Sequence, residues 1–525
     1  MPTPTYKSAT PPNVLLVIVD QLAAKWLEAA FDGAAPLPNL EWLRDSGTMF
    51  RNAFTPNPVC SPARASLATG LPSSAHGVVE CGYRLDPAIP TFMGELQRAG
   101  WRTSLHGKLH FQPNLETFYP DYRQYGFDHT DVTEDVRVGP WLDWVRETHP
   151  LHYPAALATV WMTMHPALRS EPFSGLREDI EKVQRAWRWA SDERPLDSAE
   201  SYALPFPAEI SQSAWITDRA VERITAHSGG EPMFAQVGYI QPHNPFCAPE
   251  ELLRLVNEAA IPAPVPAEWA SDPNAPTIFS SAKRGPCATY DEAGRNARQI
   301  YFADLIHLDQ QFGRLRQALV DSGRLHDTYL IFTSDHGELL YDHGLLGKWN
   351  RHYDACIRVP LLIAGPGIAA GAVEDSLVEL TDLAPTILDL CGVAEPRLPR
   401  FEAADASVRW DLRALHGRSL GRIGSVEHPA PRRESVLVES YGTHWNSDAD
   451  GFARTLRTAR HRYTVYGDGS EQLFDLQVDP DEQDNLVGRA GTESLRTGLS
   501  RQLLQALITR DNPPPGAGLY ARQGW

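Results

Sequence analysis

Six consecutive apolar residues at 14–19 stand between Asn13 and Asp20. A run of that length without alternation predicts a strand covered on both faces, as in a parallel sheet packed between helices. Apolar stretches at 233–240 and 328–333 repeat the pattern. Around them lie helical segments closed by glycine: Pro38–Ser46 before Gly47, 91–99 before Gly100 with a strand from Trp101, and a long helix near 294–321 before Gly323. The rhythm predicts an α/β fold. The first strand runs into Asp20, and the strand at 328–333 is followed by Asp335. Open α/β sheets bind ligands beyond the carboxyl ends of their strands, so these two aspartates mark a candidate site.

Between about 130 and 230 the rhythm breaks, and Trp141, Trp144, Trp161, Trp187, Trp189 and Trp215 fall among mixed charges. The stretch reads as an inserted helical region, its tryptophans serving as core or lining a lid over a substrate. Residues 396–433 are rich in Arg, Pro and Ala and read as a linking segment between a large domain, 1–395, and a smaller unit, 434–525. In that unit 435–440, 454–466 and 471–476 alternate and turn at Gly467-Asp468-Gly469, which predicts a small antiparallel sheet followed by a helix near 491–510. The tail from Asn512 through Pro513-Pro514-Pro515-Gly516 cannot continue that helix and is placed to dock on a second subunit of a homo-oligomer.

Charge narrows the partners. Across 525 residues, 48 Lys and Arg against 66 Asp and Glu leave a net charge of −18, which argues against nucleic acid as the main partner. The apolar run at 14–19 is too short to cross a bilayer and follows no basic leader. Six cysteines without a C-x-x-C pair predict neither a disulfide framework nor a structural zinc site. The expectation is a cytoplasmic protein that acts on a small molecule, away from membranes.

The richest local signal is Cys60-Ser61-Pro62-Ala63-Arg64, followed by Leu67, Thr69 and Gly70. Ser61 can cap and Pro62 suits a first helical position, so a helix is expected immediately after Cys60. Alone, Cys60 reads either as a small buried hydrophobe or as a nucleophile activated by a helix N-terminus and an arginine one turn along.

These residues resemble the C-x-P-x-R signature of the sulfatases of the alkaline phosphatase superfamily. A second signature, G-[Y/W]-x-T-x-x-x-G-K, appears as Gly100-Trp101-Arg102-Thr103-Ser104-Leu105-His106-Gly107-Lys108, with His110 after it. Further matching pieces lie at 13–21, 241–246 and 333–348. The resemblance implies a large, mixed, mostly parallel sheet between helices, with a smaller C-terminal domain of antiparallel sheet and helix. It implies that a formylglycine-generating enzyme oxidises Cys60 to formylglycine, whose hydrate attacks the sulfur of a small sulfate ester. A covalent sulfo-enzyme would then break down by elimination.

Residue by residue, the resemblance assigns one divalent ion to Asp20, modified Cys60, Asp335 and His336, with Gln21 at its edge. Gln21 stands where many sulfatases have a second Asp, and His336 where many have Asn. Losing a carboxylate and gaining an imidazole leaves Ca²⁺ and Mn²⁺ both open. Arg64 would stabilise the ionised diol, while Lys108 and Lys348 neutralise sulfate oxygens. His110 would be the base for elimination, and His243 the acid for the leaving alcohol, with Lys348 as the other candidate. His106, His343 and His352 read as structural, and Glu80 and Cys81 could border the pocket. The alternative activity is phosphonate monoester or phosphodiester hydrolysis with the same nucleophile; the Lys108 and His110 pair favours sulfate. A non-catalytic binding protein would require loss of these residues, and none is lost.

Overall fold

The computed structural model describes residues 11–113, 116–161, 166–169, 173–186, 201–272, 275–280, 290–348, 350–396, 416–421, 433–442 and 451–510. Its centre is a sheet built from β1 (Asn13–Val19), β2 (Thr48–Phe54), β3 (Arg102–Gly107) and β4 (His129–Val132). A separate pair, β5 (Ser201–Ala203) and β7 (Phe246–Ala248), brackets β6 (Met233–Gly238) in sequence. β8 (Thr328–Ser334), β9 (Arg358–Ala364), β10 (Ala372–Glu374) and β11 (Val378–Glu379) complete the large sheet. Its order is β10-β2-β9-β8-β1-β6-β3-β4, with β11 also on β2. Only the pairings of β9 with β2 and β8 are antiparallel.

β1 shows why its sequence does not alternate. Leu15, Val17 and Val19 enter one buried cluster with Trp26, Phe302 and Ile216, while Val14, Leu16 and Ile18 enter another with Leu67, Met93 and Ile387. Both faces are core, so every residue must be apolar. At roughly 1.5–3 kcal/mol per buried aliphatic side chain, β1 is a major anchor of the fold. Helices Gln212–Ala226 and Glu292–Asp321 cover the first face, and Cys60–Thr69, Phe92–Arg98 and Leu383–Leu390 cover the second. Asp291 caps the long helix through the amides of Ala293 and Gly294, and Thr91 caps Phe92–Arg98 through that of Gly94.

The region at 130–230 is less of an insertion than its composition suggests. β4 extends the large sheet beside β3, and Gln212–Ala226 is an ordinary crossover helix on β3 and β6. Only the stretch between them departs, with short helices Pro140–Thr148, Tyr153–Ala158 and Ser174–Ala186. Trp141 and Trp215 are core, Trp144 packs against it half-buried, and Trp161 sits at the candidate site. Trp187 and Trp189 lie outside the described residues.

The C-terminal unit holds β12 (Ser435–Tyr441), β13 (Phe452–Thr458), β14 (His461–Tyr466) and β15 (Glu471–Asp475), antiparallel in that order. The stretch read as one segment at 454–466 is therefore two strands. Thr458 makes the turn, its hydroxyl accepting from the amides of Arg460 and His461. Helix Glu493–Arg510 packs Leu499 and Leu503 on one face through Leu437, Leu456 and Tyr463. The other face, with Val436, Val438 and Phe474, packs against Phe54 and Tyr353 of the large domain. Of the linking segment, 416–421 and 433 are described; His416 and Gly417 donate to the carbonyl of Gly70. The proposed docking tail, 511–525, lies outside the described residues. Among the described residues no helix is long and apolar enough to cross a membrane.

Candidate active site

Asp20 leaves the end of β1, and Asp335 and His336 leave the end of its neighbour β8. Cys60 meets them from the start of its helix. One ligand atom from each of Asp20, Cys60, Asp335 and His336 falls within 4.8 Å of the others, and all four residues are buried. The helix starts two residues earlier than a Ser61 cap would place it, at Cys60, with Val59 in the capping position. Ser61 does not cap: its hydroxyl is buried without a hydrogen-bond partner. All ten residues of Cys60–Thr69 are buried.

Arg64 points along the floor of the site. Its Nε donates to Asp335 at 2.7 Å, one Nη to Asp20 at 3.4 Å, and the other to the Lys108 carbonyl at 3.0 Å. It therefore orients the two carboxylates, a role distinct from the expected contact with the diol. Lys108 reaches the same cluster because β3 ends in Gly107, whose φ of 91° turns the chain. A Cβ there would lie 2.1 Å from the Gly238 carbonyl, so only glycine fits. Lys108 Nζ lies 2.5 Å from both Asp20 and Asp135. Lys348 Nζ lies 2.8 Å from Cys60 Sγ and 3.0 Å from His336 Nε2.

His336 Nδ1 lies 3.0 Å from the Gly337 carbonyl, an acceptor only, so Nδ1 carries the proton. Nε2, 3.2 Å from Cys60 Sγ, then offers a lone pair to the cluster, which is the tautomer a metal ligand needs. Gln21 has a positive φ of 68°, and its amide nitrogen donates to Asn244 and Glu338. Its Oε1 is buried without a hydrogen-bond partner. Three carboxylates (Asp20, Asp335, Asp135) and a thiolate outnumber three cations by one charge. A divalent ion would reverse that sign, as an anionic ester requires. The donors and the unpartnered oxygen fit such an ion.

The electrostatics follow. Burial pushes the Cys60 thiol up, but a hydrogen bond from Cys81 and the charges of Lys108 and Lys348 bring it well below its ordinary value. Burial and the neighbouring thiolate oppose ionisation of Asp20, yet Lys108 and Lys348 hold it below the usual carboxylate range. Lys108 is desolvated, but Asp135 and Asp20 keep it firmly protonated.

His110 and His243 flank the cluster. The His110 backbone, at φ 64°, donates to Glu134 at 3.0 Å, and its Nδ1 stands 3.9 Å from Asp135. Both of its ring nitrogens are buried without a hydrogen-bond partner. His243 Nδ1 lies 2.5 Å from the Asn244 carbonyl, which leaves Nε2 for a ligand, and Trp161 meets the ring edge-on at 5.4 Å. Its segment is fastened to β1 by the Asp20 amide, which donates to the Gln241 carbonyl. The three remaining histidines are structural as expected. His106 pairs with Asp131, His343 stacks on Tyr353, and His352 bridges Thr455 and Ser440.

Sequence reasoning missed Asp135, Glu134, Glu338 and Asn244. The Glu134-Asp135 pair directly follows an edge strand, but it lies where the strand–helix rhythm was read as broken. Glu338 was visible in Asp335-His336-Gly337-Glu338; its role, holding the Gln21 amide, needs the tertiary contact. Glu80 and Cys81 do border the site: Glu80 is buried, which pushes its carboxyl up to about 7.

The sulfatase family model matches residues 12–393, and that of the N-sulphoglucosamine sulphohydrolase C-terminal region matches 342–509. The chain is 24 % identical to the arylsulfatase of Clostridium perfringens, covering 95 % of each. It is 29 % identical to the choline-sulfatase of Rhizobium meliloti, over 91 % of this chain and 82 % of that one. The phosphonate monoester hydrolase of Silicibacter pomeroyi superposes with a TM-score of 0.74 at 25 % identity, covering 95 % of this chain and 96 % of that one. With a family match spanning both aspartates, the cysteine and both lysines, the chain belongs to the sulfatase family.

Proposed function

We propose that the protein hydrolyses small sulfate monoesters, aryl or alkyl, using formylglycine made from Cys60 by a formylglycine-generating enzyme and one divalent ion, Ca²⁺ or Mn²⁺. The observation that carries this reading is the position of Cys60 Sγ, grouped with Asp20, Asp335 and His336 and 2.8 Å from Lys348. Asp20, Asp335, His336 and residue 60 would hold the ion, with Gln21 Oε1 beside them. When bound, the ion polarises the oxygens it holds and lowers the pKa of a hydroxyl.

The side chains do the remainder. Lys108 and Lys348 put fixed positive charge where sulfate oxygens gather charge in the transition state. Arg64 keeps both aspartates aligned, so their positions need no reorganisation during the reaction. His243, with Nδ1 committed to a carbonyl, holds a proton on Nε2 in its imidazolium form and gives it to the leaving alcohol. His110, anchored by Glu134, takes a proton from the residue-60 side to release sulfate.

Phosphonate monoester or phosphodiester hydrolysis is the second reading, favoured by the Silicibacter pomeroyi likeness. One experiment separates the two. Rates on sulfate monoesters, phosphonate monoesters and phosphodiesters are compared on one preparation, with bound metal assayed and the Cys60 peptide weighed. Sulfate esters should lead, and the peptide should carry an aldehyde in place of the thiol. A faster phosphonate rate would transfer the assignment.

A further inference from the structure

Two donor groups converge on Cys60. One is the oxygen-rich set of Asp20, Asp335 and His336. The other consists of Cys81 and His110: their ligand atoms and Cys60 Sγ all fall within 4.8 Å of one another. The two sets share only the Cys60 sulfur. They differ in softness, which is what sorts metals among protein sites.

We propose that the chain with an unconverted Cys60 holds a soft cation such as Zn²⁺ on Cys60, Cys81 and His110, and that conversion of Cys60 erases this site. The proposal rests on the reading above that Cys60 is a residue destined for conversion.

His110 is the independent observation. It is 2 % exposed, and neither ring nitrogen has a hydrogen-bond partner. Buried polar groups in native proteins are nearly always satisfied, so this imidazole, its Nδ1 3.9 Å from Asp135 and neither nitrogen hydrogen-bonded, is arranged beside two sulfurs for a ligand. Donors bound to zinc at about 2.0–2.3 Å in a tetrahedron lie roughly 3.3–3.8 Å apart, so the observed group, within 4.8 Å, needs to contract by at most about 1.5 Å. The Cys81 and Cys60 sulfurs already lie within 4.8 Å of each other, which removes the usual objection that two sulfurs point apart. Glu80, whose carboxyl accepts the Cys81 amide hydrogen at 3.1 Å, fixes the backbone beside them. Zinc would displace the Cys81 thiol proton and take up two thiolates and one neutral imidazole. The aldehyde formed at residue 60 provides no thiolate. Conversion leaves one thiol and one imidazole, too few for a soft site, while the oxygen-rich set keeps all its protein carboxylates.

The test uses the full-length chain made without a formylglycine-generating enzyme, its thiol at residue 60 verified by intact mass. Zn²⁺ is titrated against a chromophoric chelator, and Co²⁺ serves as the spectroscopic probe. We expect one equivalent bound, with near-ultraviolet charge-transfer absorption of two thiolates. Cys81→Ser should weaken Zn²⁺ binding by roughly 100-fold or more and halve that absorption. His110→Ala should weaken binding and leave the two-thiolate absorption in place. Cys391→Ser, at a buried cysteine elsewhere, should change neither. Undiminished zinc affinity in Cys81→Ser overturns the proposal. So does loss of zinc in Asp335→Asn while Cys81→Ser still binds, since the ion would then belong to the oxygen-rich set. No readout depends on ester hydrolysis. A chain that bound zinc in this way but never cleaved a sulfate ester would refute the proposed activity and leave this site standing.

Discussion

Glu379 ends β11 at the seam between the large domain and the C-terminal sheet, and its carboxylate is 2 % exposed. It accepts from the Leu437 amide at 3.0 Å, Arg433 at 3.0 Å, and Arg510 at 2.7 Å on each oxygen. Burial opposes the charge, but Arg510, Arg433 and the amide outweigh it and hold the carboxyl at about 2 against an ordinary 4.5. The sign is that of a depressed acid. Its contribution is fully present above pH 4.5 and is lost as pH falls through about 2. The size is roughly 3 kcal/mol, since each pH unit of displacement is worth about 1.4 kcal/mol. Glu379→Gln keeps the shape and removes the charge, leaving Arg510 without its carboxylate and Arg433 with Asp382 alone. Hydrogen exchange at pH 7 should show β12 and helix Glu493–Arg510 opening roughly 100-fold more readily, with Cys60–Thr69 unaffected. In thermal melts, the gap between variant and wild type should close as pH falls from 4.5 toward 2. Unchanged protection at pH 7, or a gap indifferent to pH, would refute the reasoning.

Three further outcomes concern the chemistry. Cys60→Ala should lower turnover of sulfate esters by roughly 10⁴ or more while the melting temperature stays near that of wild type; near-normal rates would remove Cys60 from the mechanism. His243→Ala should slow esters of poorly acidic alcohols by about 10²–10⁴ and nitrophenyl esters far less, and an equal loss on both would eliminate His243 as the acid. Arg64→Lys keeps the charge but cannot reach Asp20, Asp335 and the Lys108 carbonyl together. Its activity should fall together with its affinity for the divalent ion, measured by chelator competition, and intact affinity would deny Arg64 its orienting role.

Much of the architecture was legible because β1 and β8 are buried on both faces and cannot hide an unbroken apolar run. The site was legible wherever a residue ends a strand or sits in a rigid local motif, as with Asp20, Cys60 and Lys108. Its outer layer was not. Asp135 reaches the site through Lys108 and Glu338 holds Gln21, so each draws its role from a partner tens or hundreds of residues away. Ser61 misled because its side chain suits a cap, whereas the helix begins two residues sooner and seats Cys60 in its first position. The division at Thr458 escaped notice because a two-residue turn between two alternating strands leaves their pattern almost continuous.

The concealment of helix Cys60–Thr69 sets a timetable. With residue 60 only 2 % accessible, no second protein can handle it once the sheet has closed over it. If Cys60 is converted as proposed, conversion has to happen while the polypeptide is still extended, and synthesis that outruns the converting enzyme would yield well-folded molecules that stay inert. Specific activity should then fall with expression level while soluble yield holds steady.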